Sequence, residues 1–110
     1  MEVFKPKDQN NLTELEQKHW PQIEAIHPKI GTKFAIRVKV GQIPHPMTEE
    51  HQIIYIEAFY GSRPLGKIFL KPGDTSEAVF TIDAQKSEKV KVFSFCNLHG
   101  LWGNEVEIFK

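Results

Sequence analysis

Cys96 and His99 stand three positions apart at the end of an apolar run, and Cys96 is the only cysteine in 110 residues. A Cys-x-x-His turn can aim a thiolate and an imidazole at one metal ion, because the chain reverses over those four residues. The backbone N–H groups of Leu98 and His99 can then point back at the sulfur, a contact that tunes a metal thiolate. Gly100 lets the chain leave the turn with a positive φ. Alone the pair is a weak signal, since a lone cysteine is more often a small buried hydrophobe than a ligand.

Four other histidines complete the inventory: His19, His27, His45 and His51. His19, His27 and His45 have prolines close by, which fix backbone direction at strand rims. His45 and His51 flank the start of an apolar strand pattern. An extended stretch between them would bring both side chains to one side, or the loop could curl around an ion. Any one histidine reads most simply as a surface or hydrogen-bonded residue. Jointly, the Cys-x-x-His turn, the His-Pro loop with its second histidine, and a His-Trp-Pro segment all sit at strand ends. Their convergence would offer four imidazoles and one thiolate. Structural zinc takes four ligands, whereas imidazole also suits iron, which accepts five or six. Four nitrogens around the metal and sulfur on the axis would leave one axial position open, the mark of a reactive site.

The elements that must position these groups read as strands. Phe34 to Val40 alternates, with Phe34, Ile36, Val38 and Val40 on one face and Arg37 and Lys39 on the other. Gln52 to Tyr60 is apolar on both faces. Gly61 to Gly66 reads as a turn and Lys67 to Leu70 as a short strand. Glu77 to Ile82 turns Ala78, Phe80 and Ile82 inward, and Lys89 to Cys96 ends on the cysteine. Asn104 to Phe109 is the last strand, with Val106 and Ile108 inward. Residues 1 to 22 are polar and irregular, with a helical turn or two over Leu12 to His19, stopped at Trp20-Pro21. Ile23 to Pro28 is a short candidate strand. The expectation is all-β, an immunoglobulin-like antiparallel β-sandwich or barrel of about seven strands with an irregular N-terminal segment.

Composition narrows the function. Fourteen basic and fourteen acidic residues give a formal net charge of zero, so charge points to no nucleic acid and no acidic surface. No apolar run is long enough for a membrane span, and Met1 to Lys7 lacks the apolar region of a signal peptide. With no internal disulfide possible, the chain reads as a cytoplasmic single domain over residues 1–110.

The segments Lys18-His19-Trp20-Pro21, Pro44-His45-Pro46-Met47-Thr48-Glu49-Glu50-His51 and Cys96-Asn97-Leu98-His99-Gly100-Leu101-Trp102 resemble those of superoxide reductases of the neelaredoxin and desulfoferrodoxin type. The resemblance runs from residue 18 to residue 102. It implies a seven-stranded immunoglobulin-like barrel and a mononuclear non-haem iron. His19, His45, His51 and His99 would be equatorial ligands, with Cys96 axial. His27 matches no ligand and reads as a surface residue. The single cysteine leaves no means to build the four-cysteine N-terminal domain of desulfoferrodoxins, which implies the one-iron class.

The implied activity is one-electron reduction of superoxide to hydrogen peroxide. Lys18 would attract the anion, and rubredoxin or a similar donor would return the electron. Relatives of this type are often dimers or tetramers, so a homo-oligomer is expected. One departure stands out: relatives usually carry Glu-Lys-His at the first ligand, where the glutamate occupies the sixth ferric position. Here the residues are Gln17-Lys18-His19, and Glu16 lies one position too early. The competing readings are a non-catalytic iron- or zinc-binding module, a non-haem oxygenase with two histidines and a carboxylate, and a metal-free interaction domain.

Overall fold

The computed structural model describes residues 2–30 and 32–108, without the side chains of 27–30. The expectation for the His27 side chain therefore lies outside the described residues. The order is β1 (Val3–Phe4), α1 (Glu14–His19), β2 (Pro21–Ile30), β3 (Lys33–Val40), β4 (Ile53–Tyr60), β5 (Arg63–Phe69), β6 (Glu77–Asp83), β7 (Glu88–Cys96) and β8 (Gly100–Ile108). Two sheets form, one in the order β1-β8-β7-β4-β5 and one in the order β2-β3-β6. Their inner faces make the core: Ile36 and Val38 from β3, Ile56 and Ala58 from β4, Phe80 and Ile82 from β6, and Val90 and Val92 from β7. Removing each large aliphatic side chain from water stabilises the fold by about 1.5–3 kcal/mol. Among the described residues no helix is long and apolar enough to cross a membrane.

The β-sandwich expectation holds for β2 to β8, which pair antiparallel throughout. An eighth strand, β1, joins β8 in parallel through Val3 and Phe4. Two residues carry no periodicity, so no pattern announced it. The turn expected over Gly61 to Gly66 is shorter, because β5 begins at Arg63. Pro64 sits in it without harm because β5 is a sheet edge, where a missing N–H costs no ladder bond. The last strand begins at Gly100 and not at Asn104. Val106 is exposed, against expectation. It lies opposite the buried Val90, but β1 covers β8 only at Leu101 and Trp102. Beyond those residues β8 is itself a free edge.

A register shift between Ile53 and Tyr55 explains why β4 looked apolar on both faces. The extra residue lets Ile53 and Ile56 both point inward despite their odd spacing. It also sets Ile53 opposite Cys96 at one end of the sandwich.

At that same end the short helix α1 meets the turn after β3. Thr13 caps the helix, accepting from the Glu16 amide while the Glu16 carboxylate accepts from the Thr13 amide. The amides of Gln42 and Ile43 donate to the Gln17 carbonyl, at 2.7 and 3.2 Å. Gly41 permits this approach: its φ is +80°, and an added Cβ would lie 2.6 Å from the carbonyl oxygens of Gln17 and Lys18. Gly41→Ala must therefore strain the backbone or push the helix away. The expected loss is roughly 2–4 kcal/mol of stability, read as a lower urea midpoint at unchanged m-value. A midpoint equal to the parent's would contradict this packing.

Candidate metal centre

Four donors converge at this end: one ligand atom each from His19, His45, His51 and Cys96, all within 4.8 Å of one another. His19 ends α1, His45 and His51 lie in the loop before β4, and Cys96 ends β7. His99 stands beside them, its Nδ1 3.8 Å from the Cys96 sulfur. The four imidazoles close a circuit, His19 to His45 to His51 to His99 and back. Neighbouring ring centroids lie 4.7, 4.6, 5.2 and 4.7 Å apart at steep interplanar angles. His19 and His51 face each other across it at 6.2 Å, nearly parallel.

Hydrogen bonds decide which nitrogens face inward. His19 Nδ1 lies 2.7 Å from the Leu15 carbonyl, and His45 Nδ1 lies 2.6 Å from the Pro46 carbonyl. A carbonyl only accepts, so each Nδ1 carries the proton and each Nε2 presents a lone pair. Those two Nε2 atoms stand 3.1 Å apart, and the Cys96 sulfur is 3.4 Å from His45 Nε2. The Nε2 of His51 is buried with no hydrogen-bond partner. Converging lone pairs repel unless a cation lies among them. Burial holds the His45 imidazole at about 4 against an ordinary 6.5 and also lowers His19 and His51, so protons are poor candidates. Neutral imidazoles with one buried cysteine suit a metal ion, and the His/Cys set is compatible with mononuclear iron.

The surrounding sequence holds each donor. Thr48 curls the loop by accepting from the His51 amide and donating to the His51 carbonyl. The open question of an extended or curled loop is thus answered as curled. Asn97 ties that loop to the cysteine: its Oδ1 accepts from the Gln52 amide and its Nδ2 donates to the Glu50 carbonyl. Three bonds fasten the His19 segment to β7 and β8. Ser94 Oγ donates to the His19 carbonyl, Trp20 Nε1 to the Gly103 carbonyl and Asn104 Nδ2 to the Pro21 carbonyl. Sequence reasoning missed Ser94, Asn97 and Asn104, whose hydrogen bonds to residues distant in sequence exist only in the folded chain. Gly100 does leave the Cys-x-x-His turn at a φ of +86°. The sulfur's polar neighbours among the described residues are imidazole nitrogens, not the expected amides of Leu98 and His99.

Lys18 is half-buried, and its ammonium lies 3.4 Å from the Glu14 carboxylate one turn back. Its charge acts on His19 and His51, lowering both after the larger effect of burial. Gln17 Nε2 donates to the Leu12 carbonyl, and the Glu16 carboxylate is engaged in the helix cap. Neither side chain is directed at the donors.

The lowered histidines set a pH dependence for the metal-free protein. Unfolded, these side chains take up protons near 6.5, while folded His45 waits until about 4. Between those values the unfolded chain binds more protons, so stability falls as pH falls through that window. His45 contributes roughly 2–3 kcal/mol of this loss. Urea midpoints of metal-free protein between pH 7 and pH 4.5 should show it, with His45→Ala flattening the slope. Midpoints insensitive to pH in both proteins would rule out buried neutral imidazoles.

Comparison with known proteins agrees with this geometry. The desulfoferrodoxin family model matches residues 11–105. A desulfoferrodoxin homolog from Methanothermobacter thermautotrophicus is 43% identical over 86 residues, 78% of this chain and 62% of that protein. A superoxide reductase from Pyrococcus abyssi is 38% identical over 103 residues, 84% of this chain and 88% of that one. A superoxide reductase (neelaredoxin) from Archaeoglobus fulgidus, solved as a glutamate-to-glutamine variant in the reduced form, superposes with a TM-score of 0.78. It is 32% identical and covers 99% of this chain and 100% of its own. With most of its length matched on one family, and a His/Cys cluster compatible with iron, this chain belongs to the desulfoferrodoxin family.

Proposed function

We propose that the chain is a superoxide reductase of the one-iron class, with His19, His45, His51, His99 and Cys96 holding the iron. The observation that carries this reading is the closed circuit of four imidazoles with a buried sulfur against it. Iron held there would supply the one electron that, with two protons, takes superoxide to hydrogen peroxide, and a reduced donor would restore it.

The chain's own residues do the rest. The Cys96 sulfur would lend electron density to a metal held there and so favour electron transfer outward. Lys18 places a positive charge beside His19 and His51 and so concentrates a small anion there. Glu14 orders that ammonium from the preceding turn. With Glu16 and Gln17 both engaged elsewhere, this segment supplies no carboxylate to compete for the metal, and water provides the protons. A small redox protein of the rubredoxin kind serves as donor, and the protein works in the cytoplasm as a homo-oligomer with its residues 1–110 forming one domain.

A second reading, a non-catalytic zinc module, draws on the tight group of three histidines and one cysteine, a number that suits tetrahedral zinc. The His99 ring closing the circuit favours the first reading. Two substitutions separate them. Cys96→Ser in the iron-loaded, oxidised protein should abolish the visible thiolate-to-iron band and reduce superoxide turnover by roughly a hundredfold. Retention of both would remove Cys96 from the ligand set, and a parent that takes up zinc but shows no band and no superoxide turnover when offered iron would establish the module. Lys18→Ala should slow the bimolecular reaction with superoxide several-fold, by about 3–10 times, and flatten its dependence on ionic strength. An unchanged rate across salt concentrations would return Lys18 to an ordinary solvated lysine.

A further inference from the structure

Trp102 is buried at 5% exposure on β8, directly opposite Ser94. Its indole stacks on the His19 ring, with centroids 5.4 Å apart and planes 23° from parallel. Its Nε1–H donates to the His99 carbonyl at 3.1 Å. One side chain thus touches two donor residues that lie at opposite ends of the chain. Phe4, its register neighbour on β1, packs against the indole at 5.5 Å. Phe4 also crowds Gly100, where an added Cβ would lie 3.0 Å from the Phe4 ring.

A leucine would fill much the same space, so burial alone does not explain an indole here. The hydrogen bond from His19 Nδ1 to the Leu15 carbonyl fixes one point of that ring and leaves its tilt free. A flat aromatic face against the imidazole removes the tilt. Asn97 anchors the start of the Cys96-to-His99 turn, yet Gly100 loosens its end, and the indole N–H supplies the missing anchor. The indole meets both needs because it combines a plane with one directional donor.

We propose that Trp102 is a positioning residue for the metal centre, setting the tilt of His19 by stacking and the place of His99 by its indole hydrogen bond, with Phe4 bracing the indole. The proposal rests on the iron-binding reading above. It predicts a graded series. Trp102→Phe keeps a flat ring and loses the donor; Trp102→Leu loses both; Phe4→Ala removes only the brace.

The test loads full-length parent and variants with ferrous iron and follows iron release to a ferrous chelator. It also records the electron paramagnetic resonance spectrum after oxidation and the melting temperature of each metal-free protein. Supporting contacts of this kind typically change metal affinity 10–100-fold. Trp102→Leu should therefore release iron at least about tenfold faster, with Trp102→Phe intermediate and Phe4→Ala smallest. The ferric spectrum should change its rhombicity in the same order. Parent-like release and parent-like spectra in both Trp102 variants would overturn the proposal, whatever their melting temperatures, because a packing role alone moves only the latter. Should the Trp102 variants not fold, Phe4→Ala decides: faster release with altered rhombicity supports the proposal, and parent behaviour overturns it. A parent that takes up no iron would instead overturn the functional reading.

Discussion

Lone pairs that point at one another are the constraint on which the rest of this structure depends. The His19 and His45 Nε2 atoms approach to 3.1 Å with both Nδ1 protons committed to carbonyls. The Cys96 sulfur adds a further electron-rich atom. Such a cluster is costly to bury in the absence of a cation, so folding alone would not favour it. The sandwich must impose it, and the stability of the metal-free chain carries the cost. The reward is a group of donors already gathered before any ion arrives.

The imposition works through backbone anchors more than through contacts among the donors. Ser94, Trp20 and Asn104 fasten the His19 segment to the five-stranded sheet. Asn97 bridges the two loops that carry His51 and Cys96, and Thr48 folds the first of these upon itself. Each bond makes a net contribution of about 1 kcal/mol. Together they leave the donor segments few independent motions, which is how a protein obtains sub-ångström placement from individually weak forces.

Much of this was readable in advance, for definite reasons. The residues gathered at the site sit in short motifs that carry prolines and a glycine, residues whose backbone restrictions are local and survive translation into structure. Alternation along β3 and β6 marked the core because one face of each is buried. What escaped detection depends on register or on neighbours. Val106 alternates correctly yet is exposed, on a stretch of β8 that β1 does not pair. Ile53 and Ile56 looked contradictory until the bulge between them appeared. Asn97 reads as an ordinary turn residue, and only the folded chain sets its amide between two loops.

Helix α1 has six residues, far below the length at which a helix persists by itself in water. Its cap, the amides that the loop after β3 donates to its carbonyls and the bonds from β7 and β8 hold it in shape. His19 is therefore in place only after strands distant in sequence have come together. The consequence is one of assembly. In zinc fingers the ion organises an otherwise unfolded chain; here the pairing of strands, not an ion, brings His19 to the other donors. A copy whose strands have not paired offers no complete cage.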